Sequence, residues 1–216
     1  MVQALTQQSD GSRPAIAEVE LDTMTAEEAD QQIVSRLQAA IDESALRPEI
    51  AEVRDWWDVA AFGPLQLIQS GGPLLPHRVI KVGEDAYVYA FIVLNPGQAL
   101  PTGTNAADVL ANFSLPYEVQ FQTGNLTTWT LAPPDMQAVL RGNFRPGQTV
   151  YFERIRFTGR QPGLYEMNIS ARILGATPPY QSAPQFAGYA TTVFGLDAAD
   201  LWGNRPSGPV RFQVYE

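Results

Sequence analysis

Apolar and polar residues alternate most strictly between Gly163 and Leu174, GLYEMNISARIL. In an extended chain Tyr165, Met167, Ile169, Ala171 and Ile173 fall on one face, and Glu166, Asn168, Ser170 and Arg172 on the other. Pro162-Gly163 marks the way in, and Gly175 with Pro178-Pro179 the way out, so the stretch is predicted to be a core strand of an antiparallel sheet. The same period of two recurs at Tyr117–Thr123 and Val210–Tyr215. Tyr87–Leu94 is apolar on both faces, as a central strand covered on both sides should be. Further strands are predicted at Leu65–Gln69, Arg78–Val82, Leu126–Leu131, Val150–Thr158 and Tyr189–Phe194, each bounded by Gly, Pro or Asn. Gly124-Asn125 reads as a tight hairpin turn, Asp135 to Leu140 as a single helical turn, and Gly175 to Gly188 as a long loop of the kind used for binding or assembly.

The front of the chain follows a different period. Thr25 with Glu28 three residues on forms a capping box, in which each side chain satisfies a backbone N–H at a helix start. Glu27, Glu28 and Asp30 suit the positive end of the helix dipole. Ile33, Leu37 and Ile41 recur at a spacing of four, which predicts a helix from Ala26 to about Ser44, with Pro48 ending the region. So narrow a stripe needs tertiary support, from its own domain or from a neighbouring chain. Before it, Met1 to Asp22 is polar and weakly patterned, and an extended or flexible arm is expected. After it, Asp55-Trp56-Trp57-Asp58 joins helix to sheet. Adjacent tryptophans on a strand point opposite ways, one into a core and one to an interface or a carbohydrate-stacking platform.

Short strands with regular turns and little helix between them argue for a sandwich rather than a βαβ sheet. The expected division is an acidic arm with an amphipathic helix over residues 1–58 and a β-sandwich domain over 59–216. At Pro162-Gly163-Leu164-Tyr165 the chain resembles immunoglobulin-like sandwiches, in which a Tyr after a turn caps the corner of a late strand and its hydroxyl bonds back to upstream backbone. The resemblance covers one strand, and the Cys-Trp-Cys core signature of that family is absent. It implies a mainly β fold, an immunoglobulin-like antiparallel β-sandwich preceded by the acidic arm and α-helix.

Composition narrows the chemistry. A chain of 216 residues at 45% hydrophobic can bury a real core. With no cysteine there is no disulfide, thiolate nucleophile or Cys-based zinc site. No basic-then-apolar leader follows Met1, and the longest apolar run, Ala86 to Leu94, is far short of the ~20 residues of a membrane span. A soluble protein is expected, cytoplasmic or part of a soluble particle, with no membrane insertion. The net charge of -9 is lopsided: residues 1–58 carry 13 acidic and 4 basic residues, and residues 59–216 carry 10 of each. That acidic leader either aids solubility or grips something basic.

Catalytic candidates are sparse. His77 is the single histidine, and no Gly-x-Ser-x-Gly elbow accompanies it. The carboxylate pairs Asp55/Asp58, Glu84/Asp85 and Asp197/Asp200 could serve a glycosidase or calcium, but helix-capping and turn roles account for them better. No phosphate-binding Gly-rich loop is present, and the acidic balance argues against nucleic acid. What remains is an arginine set, Arg154, Arg156, Arg172 and Arg211, on the wet faces of predicted strands. These positions are either solvated strand faces or a surface that receives the acidic, Ile/Leu-striped leader. The expected function is a non-enzymatic structural or adaptor subunit of a larger assembly, without cofactor or metal. It would dock a protein partner or an identical neighbour through Ile33, Leu37, Ile41, Trp56, Trp57 and the four arginines. A carbohydrate- or ligand-binding module using Trp56, Trp57, Trp129 and Trp202 is the alternative, and a carboxylate-pair glycoside hydrolase a remote one.

Overall fold

The computed structural model describes residues 24–45, 57–67, 76–94, 110–174, 187–193 and 208–216. In chain order its elements are α1 (Ala26–Ala45), β1 (Trp57–Leu65), β2 (Val79–Lys81), β3 (Asp85–Leu94), β4 (Pro116–Asn125), β5 (Thr130–Leu131), β6 (Ala138–Asn143), β7 (Val150–Thr158), β8 (Gly163–Ile173), β9 (Ala187–Tyr189), β10 (Thr191–Val193) and β11 (Val210–Tyr215). The strands form two sheets. Sheet A has the order β10-β1-β3-β7, and sheet B the order β2-β11-β8-β4, with β5 and β6 continuing beyond β4 and β9 pairing with β8.

The period-two residues of β4, β8 and β11 do what their spacing dictates. Val119, Phe121, Tyr165, Met167, Ile169, Val210, Phe212 and Val214 turn inward and meet Val88, Ala90, Ile92, Ile155 and Phe157 from sheet A in one buried cluster. The fold is therefore a mainly β, two-sheet sandwich. Most pairings are antiparallel, but β1 with β10 and β2 with β11 run parallel, which corrects the expectation of a wholly antiparallel arrangement. The Tyr165 hydroxyl donates to the Gln161 carbonyl at 2.8 Å, the corner bond expected from the Pro-Gly-Leu-Tyr stretch.

β3 is apolar on both faces because both are covered. One face belongs to the inter-sheet core, while Tyr89, Phe91 and Val93 on the other pack with Phe62, Leu65 and Val150 against α1. The helix begins as its capping box predicts: the Thr25 hydroxyl accepts from the Glu28 N–H at 3.2 Å, and the Glu28 carboxylate accepts from the Thr25 N–H at 2.8 Å. The molecule thus has three layers in its described part: helix, sheet A, sheet B.

Four local expectations fail for identifiable reasons. β1 runs Trp57–Leu65 rather than from Leu65 onward, because Val59–Phe62 pair with β3 up to a register shift between Phe62 and Leu65. Gly124 and Asn125 finish β4 instead of turning; Asn125 accepts the N–H groups of Thr127 (2.9 Å) and Thr128 (3.2 Å) and so makes the turn just beyond itself. Leu126–Leu131 is accordingly a turn, with only Thr130–Leu131 in strand. Asp135–Leu140 splits into a 3₁₀ turn, Pro134–Met136, and the start of β6. The Gly175–Gly188 loop and the Met1–Asp22 arm lie outside the described residues, apart from β9 at the loop's end.

Candidate functional site

Sheet A is closed by its own helix. Ile33 and Leu37 are 0% exposed and Ile41 is 4% exposed. With Ala29 and Ala40 they form the apolar side of α1, buried on sheet A of the same chain. Burying a side chain of this size contributes roughly 1.5–3 kcal/mol. This corrects the expected role of these three residues: a stripe already covered by its own sheet offers nothing to a second molecule. It also shows that the helix shares a core with the strands placed after residue 58.

Polar contacts fix the helix in register. Asp30 Oδ1 accepts from the Tyr89 hydroxyl at 2.9 Å and from Arg154 Nη1 at 2.9 Å. The Arg154 guanidinium also lies 5.8 Å from the centre of the Tyr87 ring, and the Thr149 hydroxyl donates to Gln38 at 3.2 Å. Burial pushes the Tyr89 phenol well above its ordinary pKa, so it remains a donor. An arginine on the strand does receive the acidic leader, but within one chain and at Arg154. Arg156 instead pairs with Asp85.

The four arginines do not share a surface. Arg154 and Arg156 lie on β7 in sheet A, whereas Arg172 and Arg211 lie on the outer face of sheet B, on the other side of the sandwich. On that outer face Arg172 and Arg141 clamp Glu118 from both flanks: Arg141 Nε donates to Oε2 and Arg172 Nε to Oε1, each at 2.8 Å. Arg141 first, then Arg172, holds the Glu118 carboxyl below its ordinary pKa. Arg211 donates to Glu166 at 2.8 Å. Trp56 lies outside the described residues, and so does the side chain of Trp57, whose backbone pairs with Leu94 at the start of β1.

The same outer face carries an apolar corner. Cross-strand partners share a face of a sheet, so the register defines rows. Leu131, Gly124, Glu166 and Arg211 form one row, and Leu164, Gln213 and Val79 the next, with Tyr215 paired to Lys81 beyond. Leu131 is 84% exposed, Val79 54%, Leu164 44% and Tyr215 42%. Trp129, in the turn between β4 and β5, is 85% exposed at a φ of 57°. A bulky residue in the left-handed region needs its surroundings to hold it there. The Asn125 bonds do so, together with the Thr127 hydroxyl accepting the Leu164 N–H at 2.9 Å. Of the large apolar side chains exposed among the described residues, only Val82 and Phe113 lie away from this face and its turn.

Two other places hold ionisable groups. A cleft of ≈ 290 Å³ between the start of α1 and sheet A is lined by Met24, Gln66, Glu84, Asp85 and Tyr87 among others. Its acids are engaged structurally: Glu84 accepts from the Lys81 N–H at 3.0 Å, and Asp85 from the Thr158 hydroxyl at 2.6 Å as well as from Arg156. Thr158 first, and Arg156 next, lower the Asp85 pKa. Asp55, Asp197 and Asp200 lie outside the described residues, as do the Asp58 side chain and Trp202.

The second place is between the sheets, where the half-buried Glu153 accepts from the Tyr117 hydroxyl at 3.0 Å. Burial raises the Glu153 pKa above its ordinary value of 4.5, against the opposing pull of Tyr117. A raised folded-state pKa means that folding favours the protonated acid. Its contribution is full below pH 4.5 and is lost as pH rises through the folded value. Glu153→Gln is therefore expected to raise the melting temperature at pH 7 and to have little effect at pH 4; thermal melts at both values check this. The Tyr117 ring lies over Gly142, where an added Cβ would sit 2.2 Å from its hydroxyl.

Among the sites just described, sequence reasoning missed Asp30, Glu118, Glu153, Leu131 and Val79. Leu164 was not singled out either, although an apolar residue at a wet position of the β8 alternation was the signal that could have found it.

Fold and face together define a two-sheet β-sandwich with a helix over one sheet and an open, partly apolar face on the other. No family model matches the chain, and no curated relative matches it. It is similar to the CARDB domain of the PF1109 protein from Pyrococcus furiosus, at 12% identity and a TM-score of 0.32, covering 74% of this chain and 87% of that one. It is also similar to the PmoD soluble domain from Methylocystis, at 12% identity and a TM-score of 0.29, covering 75% and 93%. Its likeness to a β-glucosidase from Listeria innocua, at 10% identity and a TM-score of 0.35, spans 74% of this chain and 16% of that enzyme. At TM-scores this low none of them says what this chain does. Among the described residues no helix is long and apolar enough to cross a membrane.

Proposed function

We propose that the chain is a non-enzymatic structural or adaptor module of immunoglobulin-like architecture, which docks a protein partner through the outer face of sheet B. The observation that carries this is the concentration of exposed Leu131, Leu164, Val79 and Tyr215 on one open face, with the exposed Trp129 on the turn at its edge, while α1 occupies the other side of the sandwich. Water-exposed apolar groups gathered in one patch mark association surfaces, whereas single ones are ordinary. Scattered charge does not supply such a driving force, since each exposed ion pair contributes only about 0–1 kcal/mol. The docking role moves from the helix stripe to this face, with Arg211 beside the apolar corner and Arg172 toward the far end of β8.

A photo-crosslinking residue placed at Leu164, in cells that make the protein, tests this reading. The expected result is a covalent adduct with a protein identified by mass spectrometry, and none from the same residue at Ser35 on the solvent side of α1. Absence of any adduct at Leu164, or equal adducts at both positions, would overturn it.

A ligand-binding reading has one specific support: Trp129 is presented almost fully exposed on a tied-down turn. An indole face held in this way can stack on the apolar face of a sugar ring. Trp fluorescence titrated with a glycan panel separates the readings, because docking of a protein predicts no saturable change.

A further inference from the structure

We infer that the partner seated on sheet B is a second copy of this chain, packed face to face about a two-fold axis near Leu164. This rests on the reading of that face as a docking surface and adds the identity of its occupant. Three features of the face point to its own kind.

The first is area. Trp129, Leu131, Val79, Leu164 and Tyr215, at exposures from 42% to 85%, leave on the order of 600 Å² open. That is at the upper end of what a monomer exposes in one patch. With Arg211, Gln213, Gln122 and Asn168 around it, the footprint reaches the roughly 800 Å² per partner of a stable interface.

The second is charge within the face. A two-fold axis makes an interface self-complementary, so each group must tolerate its own image. The Leu164–Gln213–Val79 row, at the axis, meets itself with no charge in it. Next to it, Arg211 and Glu166 form a neutral pair two residues from the axis, so the apposition sets it about 13 Å from its own image and opposite the row that holds Tyr215 and Lys81 of the other copy. The cationic cluster, in which Arg141 and Arg172 outnumber Glu118, sits toward the far end of β8. From Leu164 to Arg172 the strand rises by about 26 Å, so an antiparallel apposition holds the two clusters about 50 Å apart. Screening reduces interactions over ~8–10 Å, and the like charges do not oppose each other.

The third is where the acidity of α1 lies. Glu27, Glu28, Asp30, Asp42 and Glu43 are on the helix, beyond sheet A. One sheet spacing and one helix layer put them about 20 Å from sheet B, so pairing through that sheet keeps them on the two outer sides of a dimer.

Light scattering coupled to size exclusion on the full chain, over a concentration series, tests the inference. The expected mass is that of two chains at high concentration. Leu164→Glu is expected to weaken the dimer by about 30-fold or more, as loss of a central contact does, with the circular dichroism spectrum unchanged and the melt unchanged at dilutions where both chains are monomeric. The chain has no cysteine, so Leu164→Cys gives a clean second measurement: oxidation is expected to yield a disulfide-linked pair. A mass of one chain at every concentration overturns the inference, and so does a dimer that resists both Leu164→Glu and Leu131→Glu. If the purified chain is monomeric while crosslinking from position 164 in cells captures a different protein, the second-copy inference fails and the docking reading stands.

Discussion

Leu37→Asp is expected to detach α1 from sheet A and leave no cooperatively folded protein at neutral pH. Leu37 is fully buried between the helix and a surface that includes Phe62, Phe91 and Val93. Truncating such a side chain alone costs about 2–5 kcal/mol, and an unpaired carboxylate in its place adds several more. The sum rivals the entire stability of an ordinary domain, about 5–15 kcal/mol. Far-UV circular dichroism should lose helical signal, and a dye that binds apolar surface should light up on the bared sheet. Ser35→Asp, on the wet side of the same helix, is expected to leave both readouts unchanged. A normal melt for Leu37→Asp would mean that the helix does not depend on the sheet.

The second large effect is expected at Gly63, in β1 where the pairing to β3 shifts register. Its φ of +139° is one that L side chains rarely adopt, and a Cβ there would stand 2.7 Å from the Tyr87 carbonyl oxygen and 3.0 Å from the Val88 Cα. Those contacts are backbone of the central strand, covered on both faces, so nothing can move aside. Strain and overlap together put the cost of Gly63→Ala at about 3 kcal/mol or more. For a chain of this length each kcal/mol lowers the melting temperature by about 2–4 °C, so a drop near 10 °C is expected. Gly147→Ala is the comparison: its φ is +76°, but nothing lies within 4 Å of the added carbon, and a much smaller drop is expected.

The residues that could be read in advance were those whose neighbours in sequence decide their structure. Thr25 and Glu28 cap each other locally, so the helix start was legible to the residue. β8 and β11 were legible because alternation against a single core leaves one register possible. β6 was not: Ala138–Asn143 alternates only half-buried with exposed residues, and its strand state comes from pairing with β4. The destination of the helix was hidden as well. Ile33, Leu37 and Ile41 showed a narrow stripe that needed a surface to lie on, in its own domain or on a neighbouring chain, and Ala29 and Ala40, which widen it, are too small to have decided between the two. The sheet that receives it was visible only as a strand apolar on both faces.

The candidate face was hidden for a different reason. Trp129, Leu131, Leu164 and Val79 are separated by up to 85 positions in sequence and are assembled by register across β2, β11, β8, β4 and β5. No local period reports such a grouping. The arginines misled in the opposite sense: their alternation correctly put them opposite the inter-sheet core, yet Arg154 lies under α1 and the faces belong to opposite sides of the sandwich.

Hydroxyl-radical footprinting reads side-chain accessibility one residue at a time and tests the docking face most directly. Oxidation of Trp129, Leu131, Leu164 and Tyr215 should fall sharply when the isolated, diluted chain is compared with the chain in its assembled state, while Ile33 and Leu37 stay protected in both. Unchanged oxidation across the sheet B residues, with new protection on the helix side instead, would contradict the account.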